Sequence, residues 1–374
     1  MAGRGPMFAA DMQIRGNMIS TEIERRFQIG FSADFLDENR ALVFPDIGLS
    51  LLENVPGLSY DFLQDYRAEY QSDQLRNLDV LISLKPKVTE ASLNGVDRLS
   101  AIGRCGVGYD NVDLQACTKR DIAVFITPAA VIRPVAESIV LFVLALSHNL
   151  VLKDRLVRRG QWTESTRQLG TEPRERVIGT IGLGNIAKEA IHLLRPFGPA
   201  RFLAFDPYIS SEEARQLGVD KTSLDELLRE SDYVLVNCAL TPETRGLIGE
   251  LELSKMKPTA VIINTARGPI VKQGSLIRAL ETKQIRGAAI DVFETEPVEE
   301  SSPLLALDNV ILTSHSIAWT EELFRDMGRS DCEGALAIMR GETPPNVVNR
   351  DVLERPGFLK KLQRFRSSFG GRTT

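Results

Sequence analysis

The chain has 374 residues, 43% of them hydrophobic and 25% charged, the composition of a soluble globular protein and a length too great for one ordinary core. The net charge is −5 with no basic domain, which argues against a nucleic-acid partner. Four scattered cysteines without a CxxC pair fit reduced thiols in a cytoplasmic compartment, and three histidines without clustered ligands argue against a metal site.

Taken in chain order, residues 1–25 carry no signal-peptide-like apolar region and are expected to form a flexible tail. The stretches "RFQIGFS", "LSYDFL", "LDVLISL", "LSAIGR" and "IAVFI" follow as short apolar strands and predict a smaller α/β unit. Next comes "RPVAESIVLFVLALSHNLVLKDRLVRRG". Pro134 suits a first helical turn, and Ile139, Val143, Leu146 and Leu150 recur at helical spacing, so one long helix is expected over residues 134–158. Its most apolar run, residues 139–146, falls well short of the roughly 20 residues that a membrane span needs.

From residue 176, six further apolar runs alternate with amphipathic segments: "RVIGTIG", "RFLAFD", "DYVLVNC", "AVIINTA", "RGAAIDV" and "NVILTSH". Near-continuous apolar strands between helices predict a parallel sheet covered on both faces, and six of them a doubly wound domain. The terminal segment, 351–374, turns basic and Gly/Ser-rich and is expected to be a mobile extension.

The segment "GTIGLGNIAKEA" follows a strand and opens a helix. Gly182 permits a tight turn, Gly184 lets the backbone approach a pyrophosphate, and the small Ala187 allows close helix–strand packing. The next strand ends at Asp206, 19 residues after Ala187, where a carboxylate can accept both hydroxyls of an adenosine ribose. That acid repels a 2′-phosphate, so the expected cofactor is NAD rather than NADP. The pyrophosphate would sit on the helix N-terminus.

Three polar residues stand at the carboxyl ends of later strands: Arg267, Asp291 and His315. Parallel sheets bind ligands at those ends. A guanidinium holds the planar oxygen pair of a 2-keto acid with two bonds. An imidazolium supplies the proton that the carbonyl oxygen needs after hydride attack. A carboxylate on the far ring nitrogen would orient that imidazole, and Glu296, in "AAIDVFETEP", is the candidate. Each residue alone has an ordinary structural reading; together, downstream of a dinucleotide turn, they outline a redox site.

With these stretches in place, the sequence resembles the D-isomer-specific 2-hydroxyacid dehydrogenases. "GRCGVGYDNVDL", "VAESIVLFVLAL", "GTIGLGNIAKEA", "VIINTARGPIV", "GAAIDVFETEP", "NVILTSH" and "GETPPNVVN" match the family's motifs in order, over roughly residues 75–349. The resemblance implies an NAD-binding Rossmann domain, residues 131–318, inserted into a smaller flavodoxin-like substrate domain, residues 26–130 plus 319–350. It implies that Arg267 binds substrate and that Glu296 and His315 form the proton-relay dyad. Asp291 would contact the nicotinamide carboxamide, and Asn185 and Ile186 the pyrophosphate. Cys238, Thr265 and Ala266 would line the cofactor. Val107 and Gly108 would cradle the substrate carboxylate through their N–H groups. Hinges are expected near residues 128–133 and 316–320, and the long helix after Pro134 is expected to pack across a homodimer.

Ser314 and Ala239 stand where the family commonly has proline, and Arg133 is unusual in its loop. These departures touch loop geometry and substrate size, not a catalytic group. The resemblance gives formate dehydrogenases Gln where this chain has Glu296, which favours keto-acid reduction. An NAD(H)-sensing corepressor on the same fold is the alternative from another class, since such proteins keep the triad.

Overall fold

The computed structural model describes residues 26–370, so the tail expected at 1–25 lies outside the described residues. The five expected strands of the first half are present: Phe27–Phe31 (β1), Leu58–Phe62 (β2), Val80–Ser83 (β3), Ala101–Arg104 (β4) and Ala123–Ile126 (β5). They pair in parallel in the order β2-β1-β3-β4-β5, a flavodoxin-like winding. β3 is buried at every position, and β1, β4 and β5 at all but one, because both faces of the sheet are covered.

The second sheet has seven parallel strands: Val177–Ile181 (β6), Arg201–Phe205 (β7), Asp220–Lys221 (β8), Tyr233–Val236 (β9), Val261–Asn264 (β10), Gly287–Ile290 (β11) and Val310–Leu312 (β12). Their order, β12-β11-β10-β9-β6-β7-β8, is the doubly wound arrangement that reverses direction between β6 and β9. Six of the seven lie in the six apolar runs. The two-residue β8 has no apolar run to announce it.

The helix expected over 134–158 is two helices. The first, Pro128–Ser147, begins six residues earlier, with Pro128 in its first turn and Pro134 inside it. It ends before Asn149, whose φ of 53° is left-handed, and the chain resumes as the helix Leu150–Arg158. Asparagine tolerates that conformation better than most residues, and the apolar spacing continues across the break. By length and composition Pro128–Ser147 could cross a membrane. Here its Ala136, Ile139, Phe142, Val143 and Leu146 pack into the core of the second sheet.

The mobile extension expected at 351–374 is corrected over most of its length. Pro356–Phe369 is a helix whose Phe358, Leu362, Phe365 and Phe369 are buried on one face. Phe365 meets Phe27 of β1 edge-on at 5.1 Å between ring centres. The helices Glu321–Met339 and Pro356–Phe369 both contribute to the core that covers one face of the first sheet. The chain therefore leaves the first sheet, builds the second, and returns.

Candidate active site

The winding puts the loops after β6, β7, β9, β10, β11 and β12 at one edge of the second sheet. Gly182, Asp206, Cys238, Arg267, Asp291 and His315 all stand in those loops. Residues far apart in sequence thereby share a crevice.

The loop after β10 is braced by its first residue. Asn264 is buried, its Oδ1 accepts from the Ala266 N–H at 3.1 Å, and its Nδ2 donates to the Arg267 carbonyl at 3.0 Å. That pair of hydrogen bonds fixes Thr265, Ala266 and Arg267 in one turn. Arg267 Nη1 donates to the Ala266 carbonyl at 2.7 Å, and its Nε donates to Asp110 Oδ1 at 2.9 Å. Its Nη2 lies only 1.3 Å from where a side chain on Gly108 would begin, so the guanidinium rests on the backbone of the Val107–Gly108 loop. Sequence reasoning missed Asp110. Its place in "GVGYD" was visible, but its pairing across 157 residues depends on the fold. Burial would raise the Asp110 carboxyl, but the Arg267 charge and hydrogen bond outweigh it and hold the group below the usual carboxylate range.

The loop after β11 touches the same place. Gly268 packs on the backbone of Phe293, where an added Cβ would sit 1.9 Å from the carbonyl. This close approach brings the Arg267 turn alongside the segment that leads to Glu296. Glu296 Oε1 accepts from the Phe293 N–H at 3.0 Å, and its Oε2 meets His315 Nδ1 at 2.8 Å. Burial pushes the Glu296 carboxyl up, but the hydrogen bonds from His315 and Phe293, with the charges of His315 and Arg267, bring it below its ordinary value. An ionised Glu296 accepts a proton-bearing Nδ1 and leaves Nε2 as the ring's other functional atom.

His315 is placed by Asp291. The His315 N–H donates to the Asp291 carbonyl at 2.7 Å, and its φ of 55° is left-handed. Asp291 Oδ1 takes three further donors: Thr313 Oγ1 at 2.6 Å, the Ser316 N–H at 3.0 Å and the Ile317 N–H at 3.2 Å. A carboxylate with several such bonds holds a strained turn in place. This bracing of the turn was not legible in the sequence. Glu294, which reads as a solvated loop acid, is exposed and also accepts from the Gln273 N–H at 3.0 Å.

The cofactor side has the features a dinucleotide needs. Gly182 has φ 91°, and a Cβ there would lie 2.8 Å from the Cys238 backbone nitrogen. Gly184 has nothing within 4 Å of its Cβ position and precedes the helix Asn185–Leu194 without a side-chain cap. The first-turn N–H groups around Asn185 and Ile186 thus face open space, as a pyrophosphate requires. Ala187 is buried beneath them. Asp206 Oδ2 accepts from the Leu183 N–H and Oδ1 from the Tyr208 N–H, each at 2.8 Å, which ties the end of β7 to the glycine turn. Burial raises the Cys238 thiol to about 11, so it stays uncharged beside that turn.

A model of the family described as "D-isomer specific 2-hydroxyacid dehydrogenase, NAD binding domain" matches residues 140–316. A glyoxylate reductase of Korarchaeum cryptofilum is 36% identical over 292 residues, 76% of this chain and 88% of that protein. A D-3-phosphoglycerate dehydrogenase of Methanocaldococcus jannaschii is 37% identical over 77% of this chain, which spans 55% of that longer protein. Among solved structures, D-lactate dehydrogenase from Aquifex aeolicus, complexed with NAD and lactic acid, superposes with a TM-score of 0.75 at 27% identity. That match covers 86% of this chain and 99% of the other.

Proposed function

The chain belongs to the family of D-isomer-specific 2-hydroxyacid dehydrogenases, NAD-dependent enzymes, and from that premise we propose the residues and substrate through which it works. It reversibly reduces a small 2-keto acid, of the size of glyoxylate or hydroxypyruvate, to the D-2-hydroxy acid. The relatives named glyoxylate reductase support the substrate size. The observation that carries the proton-transfer role is the 2.8 Å contact between His315 Nδ1 and Glu296, which leaves Nε2 free to serve the substrate.

Val107 and Gly108 offer backbone N–H groups to the substrate carboxylate, and Arg267 holds the carboxylate and carbonyl oxygens together. Bound NADH supplies the hydride, and NAD takes one back in the reverse direction. As the carbonyl carbon gains that hydride, the π electron pair moves to oxygen, which takes the proton from His315 Nε2. Glu296 stabilises the imidazolium before transfer and keeps the ring oriented after it. Asp291 keeps the His315 turn in place and faces the nicotinamide carboxamide. Gly182, Gly184, Asn185, Ile186, Cys238, Thr265 and Ala266 line the dinucleotide, and Asp206 reads the ribose as NAD rather than NADP.

Residues 26–130 with 319–370, the last helix included, act as the substrate domain and 131–318 as the cofactor domain, hinged near 128–133 and 316–320. Closure there expels water from the hydride path. The enzyme works as a cytoplasmic homodimer. Exposed Leu141, Leu150, Val151, Val157, Trp162 and Leu169, on and after the Pro128–Ser147 helix, support a covered face.

The test is NADH oxidation, followed by absorbance, with glyoxylate, hydroxypyruvate, pyruvate and bulkier 2-keto acids. Turnover of the smaller acids is expected. Tight NADH binding without turnover of any of them would replace this reading with that of a cofactor-sensing interaction protein.

A further inference from the structure

Behind the Val107–Gly108 loop lies a group of ionisable side chains that the proposed reaction does not use. Asp331, on the helix Glu321–Met339, is fully buried, and no nitrogen or oxygen donor reaches its carboxylate oxygens, which lie beside the Cys105 thiol. Its Oδ1 lies 2.9 Å from where a side chain on Gly103 of β4 would begin. The next two residues are Arg104 and Cys105. Arg104 folds back, donating Nη1 to the Cys105 carbonyl, while its Nε is buried without a partner. The same Nη1 lies 2.8 Å from the Cβ position of Gly106, so the guanidinium lies under the start of the cradle loop.

A partly buried cation and a fully buried acid stand within electrostatic reach of each other, and no ion pair joins them. Such an arrangement is costly unless one group is neutral or a ligand completes it. A guanidinium keeps its proton, although burial lowers its affinity for it. The carboxyl is the group that gives way. Burial pushes Asp331 up to about 8, against the pull of the Cys105 thiol and the Arg104 charge. The Cys105 thiol is itself driven well above its ordinary value by burial and by Asp331, so it stays neutral. The other titratable groups around this cluster are Tyr70, which feels the Arg104 charge, Asp34 and Asp46, on the segment after β1, and Cys332 and Glu333 beside Asp331. The Arg104 charge is felt at Arg267 and Asp110, in the substrate site itself.

We propose that Asp331 is a positioning residue for substrate binding, governing whether Arg104 presents its charge to the cleft or is drawn inward beneath Val107 and Gly108. This rests on the reading that this loop cradles the substrate carboxylate. With Asp331 protonated, the positive charge of Arg104 is uncompensated and favours an anionic substrate. With Asp331 ionised, the guanidinium gains an internal partner and the cleft loses that attraction.

The experiment compares the full-length enzyme with Asp331→Asn and Arg104→Met, measuring KM for the 2-keto acid from about pH 6 to about pH 9. Asp331→Asn removes only the Asp331 carboxyl, so the ratio of the wild-type KM to that of the variant isolates its titration. The ratio is expected to rise roughly fivefold or more across that range, with kcat changing less than KM. Arg104→Met is expected to have a raised KM at every pH and no such rise. A constant ratio would overturn the proposal.

A second readout needs no catalysis. Asp331 keeps its proton in the folded chain where the unfolded chain has lost it. Its contribution to stability therefore falls as pH rises from its ordinary value of 3.8 to about 8, and stays level above. The melting temperature of Asp331→Asn should gain on that of wild type over this window. Parallel melting curves would also overturn the proposal. Absence of turnover by wild type would instead remove the functional reading on which the proposal stands.

Discussion

Gly108 shows how little room the proposed substrate site leaves at the scale of single residues. Gly108→Ala places a methyl group 1.3 Å from the present position of Arg267 Nη2, so the guanidinium must move. The variant is expected to raise KM for the keto acid about tenfold or more, since a misplaced clamp loses orientation, with NADH affinity little changed. Steady-state kinetics with NADH titration checks this, and an unchanged KM would mean that Arg267 does not hold substrate from this position. Arg267, Glu296 and His315 stand out in the sequence as candidates because their chemistry is distinctive and each follows an apolar strand. Asp110 and Asp331 do not. An acid in a loop and an acid in a helix look alike until the fold shows one against Arg267 and the other sealed from water. The bonds from Asp291 to the 313–317 turn were hidden for the same reason.

At the scale of elements, strands were legible and helix ends less so. Five strands of the first sheet and six of the second fall in runs of apolar residues, because strands covered on both faces carry no alternating pattern to confuse with a surface. The break at Asn149 was missed because apolar spacing resumes beyond it. The helix Pro356–Phe369 was missed because its lysines, arginines and flanking glycines dominate the composition. Its apolar residues, Phe358, Leu362, Phe365 and Phe369, nevertheless keep a helical period and fill the core beside Phe27. Even Lys361 turns inward there, its Nζ donating to the Leu99 carbonyl at 2.6 Å, and burial lowers its amine to about 8. Phe365→Ala should cost about 3–5 kcal/mol, as for a large buried side chain, and urea denaturation measures it. A loss under about 1 kcal/mol would mean that the helix contributes little to the fold.

At the scale of the whole molecule, two parallel sheets of five and seven strands are joined by two crossings, and the last helices return to the first sheet. The alternation of strands and helices made the two units legible. The proposed homodimer rests on the exposed apolar residues of Pro128–Ser147 and the segment after it. Leu150 is 55% and Leu169 86% exposed, so replacing either by glutamate leaves the core intact. Light scattering should find wild type at the mass of two chains and Leu150→Glu, combined with Leu169→Glu, shifted toward one. A monomeric wild type would leave that face to another use.

In the proposed mechanism the contact between His315 and Glu296 gives the site its proton, and the pH dependence of kcat/KM for keto-acid reduction tests it most directly. Wild type should be compared with Glu296→Gln at saturating NADH. Without its anionic partner the imidazolium gives up its proton more readily, so the alkaline loss of activity should move to lower pH. Superimposable profiles in the two proteins, with NADH affinity unchanged, would contradict the role assigned to the pair.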